Sequence, residues 1–438
     1  MKALLFAISF VAGAMLPLNA RAAADPPPSV RSYHGATIIE QHTGGSPLAG
    51  ANVFIQAGRD RQTTQQNGIA ALVAQTIILT PVNGMPLQTA LAGQGGTIRF
   101  TVAGSDVRFY VEGMRATFAP DILPLFSAAL AKPDFSAATV AAARKELNDK
   151  IAENERLALT AGIEMLDRTF YQNSNAGLPQ YGSPAVLASQ TPEDLRAFYQ
   201  AHYRREKAIV SAIADPDAIP PDAFNAVVDS LAPGASQRVA ESSAPLRSTN
   251  RQLIAHRDVN VPWLVAQYRA PSVTSRDFGA MLLLSSFITR TLTDVTELPT
   301  IAPPAVGERG VGALYNFDSQ PANIIVYVDG GLGDPSRTFA TALAVVSILG
   351  QTKVQGDIGG MKSYAEGEFV NGATSLEDRT WLAAVFYRES GSAEYLNRSL
   401  DAIAHVSVAD LQRAARTYLS TPTIALILPR STPVQQPG

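Results

Sequence analysis

The chain contains no cysteine among its 438 residues. This excludes a disulfide framework, a thiolate metal site and a cysteine nucleophile. An excess of charge is also missing, because 35 Lys and Arg nearly balance 38 Asp and Glu. The balance gives no basic footprint for binding nucleic acid or anionic lipid. Stability must therefore come from apolar cores, and the length favours two or three domains.

Histidine is scarce as well, and the five histidines, at positions 34, 42, 202, 256 and 405, never lie three or four residues apart. That is the spacing at which one helix presents two metal ligands. Glu153 and Glu155 fit a solvated helix face that mixes both charge signs. No spacing supports a metal site, although one built from distant single residues stays open. An independent hydrolase has little support, because no Gly-x-Ser-x-Gly elbow follows a strand.

At the start of the chain, Met1 and Lys2 precede an apolar stretch from Ala3 to Leu18, and no second apolar run is long enough and pure enough to span a membrane. The small residues that follow are typical of a cleavage site after Ala22 or Ala24. Residues 1–24 are therefore predicted to be a signal peptide, with export to the periplasm. A membrane-tethered N-terminus is the alternative, but we expect no stable anchor.

One buried helix is predicted from Asn67 to Pro81, an almost wholly apolar stretch. It begins at a turn-forming Asn-Gly and stops at a proline. A strand that ends near Gly58 precedes it, and two alternating strands about the turn Gly104-Ser105-Asp106 follow it. No residue of the stretch bears a catalytic or metal-binding group.

This order of elements resembles the first domain of the pitrilysin and insulinase family of zinc peptidases. The resemblance is to its short-subunit branch, which includes mitochondrial processing peptidase and bacterial relatives. In that family the helix carries an inverted zinc motif, G-x-A-H-F-L-E-H. Gly68 and Ala70 match the motif, but its three chemical positions fall on Ala71, Ala74 and Gln75, and the third-ligand position on Lys150. The resemblance implies a non-catalytic subunit without H-x-x-E-H and with no cofactor of its own.

The second half of the sequence repeats the plan of the first. We predict a peptidase-like domain over residues 30–230, a Ser- and Pro-rich linker over 231–250, and a second such domain over 251–432. The predicted fold class is α+β. The resemblance implies two homologous domains, each a mostly antiparallel sheet packed with helices, which together form half of a clam shell.

A second motif of the resemblance lies in the second half. There the family's non-catalytic subunits carry an arginine and a tyrosine in L-R-E-x-x-G-L-A-Y, which hold the substrate and stabilise the oxyanion. Tyr315 and Gly312 fit this pattern, and Arg309 lies one place closer to the tyrosine than the pattern requires. The alternative is that Arg309 is a surface turn residue and Tyr315 a packed strand residue.

The resemblance thus implies a zinc-less subunit of a periplasmic heterodimeric metallopeptidase. Its partner would be a homologous subunit that carries H-x-x-E-H and the zinc, and its substrate would be a peptide. No activity is expected from this chain alone. The alternative is a catalytically dead peptide-binding or scaffold protein, which could be a homodimer.

Overall fold

The computed structural model describes residues 27–43, 45–171, 174–214, 219–220, 222–237, 252–298, 310–319, 321–331, 334–351 and 358–430. The predicted signal peptide, most of the predicted linker and Arg309 lie outside these residues. Within the described part of the chain, no helix is both long enough and apolar enough to cross a membrane.

Thirteen strands are described. They are β1 (Ser29–Tyr33), β2 (Ala36–His42), β3 (Leu48–Ile55), β4 (Pro81–Val82), β5 (Met85–Pro86), β6 (Thr97–Val102), β7 (Val107–Met114), β8 (Ile209–Ala214), β9 (Gln252–Arg257), β10 (Trp263–Arg269), β11 (Val311–Asn316), β12 (Asn323–Asp329) and β13 (Thr423–Pro429).

Fifteen α-helices accompany them, together with short 3-10 and π turns. They are α1 (Ile69–Leu79), α2 (Leu87–Gly93), α3 (Arg115–Thr117), α4 (Leu123–Ala131), α5 (Ala137–Asn154), α6 (Ala158–Phe170), α7 (Pro184–Ser189), α8 (Pro192–His202), α9 (Asn225–Asp229), α10 (Phe278–Thr296), α11 (Pro335–Gln351), α12 (Gly359–Gly372), α13 (Leu376–Ser390), α14 (Tyr395–Ala404) and α15 (Val408–Tyr418).

The two large sheets share one plan. The first has the strand order β1-β2-β8-β3-β7-β6, and the second β11-β12-β10-β13-β9. In each sheet only one pair is parallel, β2 with β8 and β13 with β9. Read from that pair, β2-β8-β3-β7-β6 corresponds strand for strand to β9-β13-β10-β12-β11, and β1 is the extra strand. The predicted α+β class with two mostly antiparallel sheets is confirmed.

The sequence predicts one strand from Arg31 up to the turn at Thr43 and one helix from Met114 to Lys132, and both predictions were wrong. The run from Arg31 to His42 is a hairpin and not one strand, because His34 and Gly35 both adopt positive φ (48° and 85°) and form a two-residue turn. The single helix expected from Met114 to Lys132 is α3, a π turn over Phe118–Ile122 and then α4. Pro120 and Pro124 fall in this stretch, and a proline cannot donate the backbone hydrogen bond of a regular helix.

Each half lends a helix to the sheet of the other half. Helix α6 packs on β13 and β10, and α13 packs on β3 and β8. A Cβ added at Gly162 of α6 would lie 2.6 Å from Val265 Cγ2 of β10, so the helix approaches the sheet closely. On α13, Thr380 Oγ1 accepts a hydrogen bond from Asn52 Nδ2 of β3 at 2.8 Å.

A buried ion-pair network joins the two halves at a second place. Asp106 accepts hydrogen bonds from Arg108 (2.8 Å) and from Arg388 of α13 (2.7 Å). Arg108 also donates to Asp318, which precedes β12, at 2.8 Å. Burial opposes ionisation of Asp106, but the two guanidinium groups outweigh it and lower the pKa of that carboxyl. Two of these ion pairs, Arg388 with Asp106 and Arg108 with Asp318, join the halves and would be broken if the halves separated.

Candidate functional site

Helix α1 begins at a left-handed residue and is capped from a distance. Gly68 has φ of 96°, a conformation that glycine adopts without strain. The side-chain oxygen of Gln62, which is fully buried, accepts hydrogen bonds from the backbone N–H groups of Gly68 (3.2 Å) and Ala70 (3.4 Å). Two N–H groups at the helix start are thereby satisfied, which a buried helix end requires.

Every residue of α1 is buried. Ala71 and Ala74, which take the positions of the first histidine and the glutamate of the zinc motif, have no exposed surface. Gln75, at the second histidine position, is 2% exposed. Residues 71 and 75 lie one turn apart and therefore on one side of the helix. The positions that would bear metal ligands are packed and not open to solvent.

Gln75 links α1 to α5 through both ends of its amide. Its Nε2 donates to Glu146 Oε2 at 2.7 Å, and its Oε1 accepts from Lys150 Nζ at 3.3 Å. Glu146 and Lys150 lie one turn apart on α5, so they present their side chains on the same face. The structure therefore brings together Gln75 and Lys150, two of the four degenerate motif positions. Sequence reasoning missed Glu146, although its spacing from Lys150 is a readable signal.

Lys150 lies in a partly apolar pocket. Its Nζ is 4.9 Å from the ring centre of Phe100 and 5.8 Å from that of Tyr181. Burial lowers the pKa of the Lys150 ammonium, and the charge of Glu146 opposes this shift. The aromatic faces stabilise the cation that burial disfavours. The site thus holds a partly desolvated ammonium group where the resemblance places a metal ligand.

This arrangement does not match a zinc site. Zinc needs deprotonated nitrogen, sulfur or oxygen donors in a near-tetrahedral array, and a protonated lysine offers no lone pair. Among the described residues, no group of three or more His, Cys, Asp or Glu side chains could hold a metal ion. What the site holds is the ammonium group of Lys150 and the carboxylate of Glu146, which the amide of Gln75 links.

A narrow cleft of about 170 Å³ adjoins this site. Tyr181 borders both, and Glu164 and Arg168 of α6 line the cleft together with Arg257. Burial raises the pKa of the Glu164 carboxyl, and Arg168 partly offsets the shift. A carboxyl of this kind is a candidate for proton transfer or binding, and no sequence motif marks it.

Tyr315 lies on β11 and turns inward. Its hydroxyl donates to the backbone carbonyl of Pro271, and its ring packs 5.9 Å from Phe278 and 5.6 Å from Phe317. Burial raises the pKa of the Tyr315 phenol well above its ordinary value. The one proton of the hydroxyl is therefore engaged within the chain. Arg309 lies outside the described residues, so its role stays a prediction.

Comparison with solved structures reveals the same architecture in bacterial proteins. A protease from Helicobacter pylori matches with a TM-score of 0.76 and 14% identity, over 92% of this chain and 100% of that one. The peptidase M16 inactive domain from Pseudomonas fluorescens matches with a TM-score of 0.75 and 15% identity, over 94% and 100%. The chain has the M16 peptidase fold seen in these structures. No protein-family model and no curated protein matches its sequence.

A third match supports the assignment of the M16 fold. A protein assigned as an M16-like peptidase from Alicyclobacillus acidocaldarius gives a TM-score of 0.69 with 12% identity, over 93% of this chain and 100% of that one. At these identities the likeness shows the fold alone. The M16 fold thus extends over nearly the whole chain, while the side chains at the motif positions are this chain's own.

Proposed function

We propose that this chain is the zinc-less subunit of a two-chain metallopeptidase of the M16 type, exported to the periplasm. The observation that carries the proposal is the combination found at α1. The fold extends over more than nine-tenths of the chain, but Ala71, Ala74 and Gln75 replace the chemical positions of the zinc motif. The zinc and the general base are then supplied by a partner subunit that carries H-x-x-E-H.

In this proposal the chain binds peptide and forms part of the wall of the chamber that the two subunits enclose around it. Strand β6 ends the first sheet and β11 ends the second, so each has one strand neighbour in its sheet. The unpaired edge of a strand can take an extended peptide as an added strand. Every second residue of β6, starting from Thr97, is exposed. An extended substrate would therefore find both backbone groups and side chains there.

Arg309 and Tyr315 remain the proposed contacts to substrate in the partner's site. Electrostatic stabilisation of an oxyanion contributes on the order of 3 kcal/mol per donor, so both would matter for rate. For Tyr315 this role requires its hydroxyl to leave the carbonyl oxygen of Pro271 when substrate binds. A structure with bound peptide would show whether it does.

The second candidate function is a catalytically dead peptide-binding or scaffold protein, which could be a homodimer. The hydrogen bond from Tyr315 to Pro271 favours this candidate, because the hydroxyl then has a structural partner and no need of a substrate. A scaffold also does not need Arg309. The two candidates differ in whether any mixture of chains cleaves peptide.

The test is peptide cleavage by the purified chain, alone and mixed with a homologous chain that carries H-x-x-E-H, with and without a zinc chelator. We expect chelator-sensitive cleavage only in the mixture. Arg309→Ala should lower its rate at least about tenfold, as removal of an oxyanion contact does. Tyr315→Phe removes the hydroxyl of the other proposed substrate contact. Its matched control is Tyr364→Phe, which removes a hydroxyl on α12. Peptide binding without cleavage in every mixture would establish the scaffold instead.

A further inference from the structure

A larger cleft lies in the second half, between the first turn of α10 and the helices α14 and α15. Its volume is about 510 Å³. Three arginines line it, Arg276, Arg398 and Arg413, together with His405 and a single carboxylate, Asp410. The positive groups outnumber the negative one. This cleft is separate from α1 and has no part in the proposed function.

Arg413 is neutralised within the chain. It donates to Asp277 Oδ1 at 2.5 Å, and its Nη1 lies 2.7 Å from Asp410 Oδ1. Asp277 is 6% exposed, so Arg413 compensates a buried carboxylate. Arg413 thus has a structural role, and its charge is not available for a ligand.

Arg398 and Arg276 are not neutralised in this way. Arg398 donates to the hydroxyl of Ser390 at 2.7 Å, and among the described residues no carboxylate lies within ion-pair distance of it. Arg276 is 4.0 Å from Asp277, whose carboxylate Arg413 already holds, and its side chain is 78% exposed. Three guanidinium groups and two carboxylates, those of Asp277 and Asp410, therefore lie in or beside one concave surface, which keeps an excess of positive charge.

His405 adds a polar edge to the cleft. Its Nδ1 lies 2.7 Å from the backbone carbonyl oxygen of Asp401. Because a carbonyl only accepts hydrogen bonds, Nδ1 carries the proton, and Nε2 remains as the second polar atom of the ring. Val273, Phe278 and Phe386 supply an apolar part of the lining. The cleft thus combines the guanidinium groups of Arg276 and Arg398 with apolar surface.

We propose that this cleft binds the carboxylates of an acidic peptide segment. A guanidinium group presents a fork of N–H donors that matches a carboxylate, and its charge strengthens these hydrogen bonds. The volume exceeds that of a single small anion and has room for the chain that bears the carboxylate, whose methylene groups can pack on the apolar lining. Small dicarboxylates share this chemistry, so the test includes one.

The experiment measures fluorescence anisotropy of a labelled peptide that contains several glutamates, with the full-length chain. A peptide with glutamines in their place and free succinate are the comparison ligands. Arg276→Gln, at an exposed side chain, and the double change Arg276→Gln with Arg398→Gln are the variants. Arg416→Gln on α15 is the matched control, because Arg416 is exposed and does not line the cleft.

We expect the glutamate peptide to bind more tightly than the glutamine peptide, with an affinity that falls as salt rises. The double variant should lose about tenfold in affinity, and Arg276→Gln alone a smaller factor, as the removal of charge-assisted hydrogen bonds implies. Arg416→Gln should bind as the wild type does. Equal binding of the glutamine peptide, or an equal loss in Arg416→Gln, would overturn the site.

Two further outcomes test the identity of the ligand and the role of Arg276 separately. Succinate that binds as tightly as the peptide would overturn the peptide as the occupant. If the double variant fails to fold, Arg276→Gln alone decides, and unchanged binding in that variant would contradict the proposal. None of these measurements requires a partner subunit, so their failure would leave the proposed two-chain peptidase untouched, and the reverse also holds.

Discussion

At the scale of the residue, the positions that the resemblance assigns to the zinc motif are occupied by packed side chains. Gln75 has an amide whose donor and acceptor groups are both engaged, by Glu146 and Lys150. Ala71 and Ala74 form part of the apolar core of the first half. The result is a packed contact between α1 and α5 where an open metal site would need a cavity.

Replacing Ala71 by histidine tests whether that space is gone. An imidazole at a position with no exposed surface must displace its neighbours and leave polar nitrogens without water. We expect Ala71→His to lower the free energy of unfolding by about 1–3 kcal/mol, the usual cost of overpacking. Chemical denaturation measures the change, and Ala141→His, at an exposed position of α5, is the control. Equal stability of the two variants would indicate that α1 still faces an open pocket.

Some contacts of single residues could be predicted from the sequence and others could not. Aligning the sequence with the family motif places Lys150 at the third-ligand position, and its Nζ lies 3.3 Å from Gln75 Oε1. The hydrogen bond from Tyr315 to Pro271 joins residues 44 positions apart and follows no spacing rule. The residue types show which metal-binding and catalytic side chains are missing from the motif positions. Hydrogen-bond partners that are distant in sequence can be identified only in the folded chain.

At the scale of the element, α1 was predictable because its ends are marked by Gly68 and Pro81 and its interior is apolar. Helix α13 was not predicted. Ser375 at its N-cap and the left-handed Gly391 after its last turn are local signals for its ends, but they do not reveal that its buried face contacts the other half of the molecule. The same applies to α6, whose sequence suggests a helix but not the sheet on which it packs.

Helix α6 yields a second prediction. Gly162→Val would place a side chain where a Cβ alone already lies 2.6 Å from Val265 Cγ2. We expect a loss of about 1–3 kcal/mol in the free energy of unfolding, because α6 must move away from β10. Gly367→Val in α12 is the control, since nothing lies within 4 Å of a Cβ at Gly367. A similar effect of the two substitutions would contradict the close packing of α6 on the second sheet.

At the scale of the whole molecule, two sheets of one topology are joined by exchanged helices and a buried ion-pair network. The duplication is readable in the sequence because strands and helices recur in the same order. The exchange is not readable, since it depends on contacts between residues such as Asn52 and Thr380, which are 328 positions apart. The halves are therefore held as one unit, and a partner subunit would meet both of them together.

The zinc content of the purified chain tests most directly the central claim, that this chain has an M16 fold but binds no zinc. The chain is equilibrated with zinc, dialysed and measured by mass spectrometry of the metal, beside an H-x-x-E-H relative as positive control. We expect much less than one zinc per chain, with no change in Gln75→Leu. One tightly held zinc per chain that Gln75→Leu removes would contradict the account, because α1 would then contribute to a metal site.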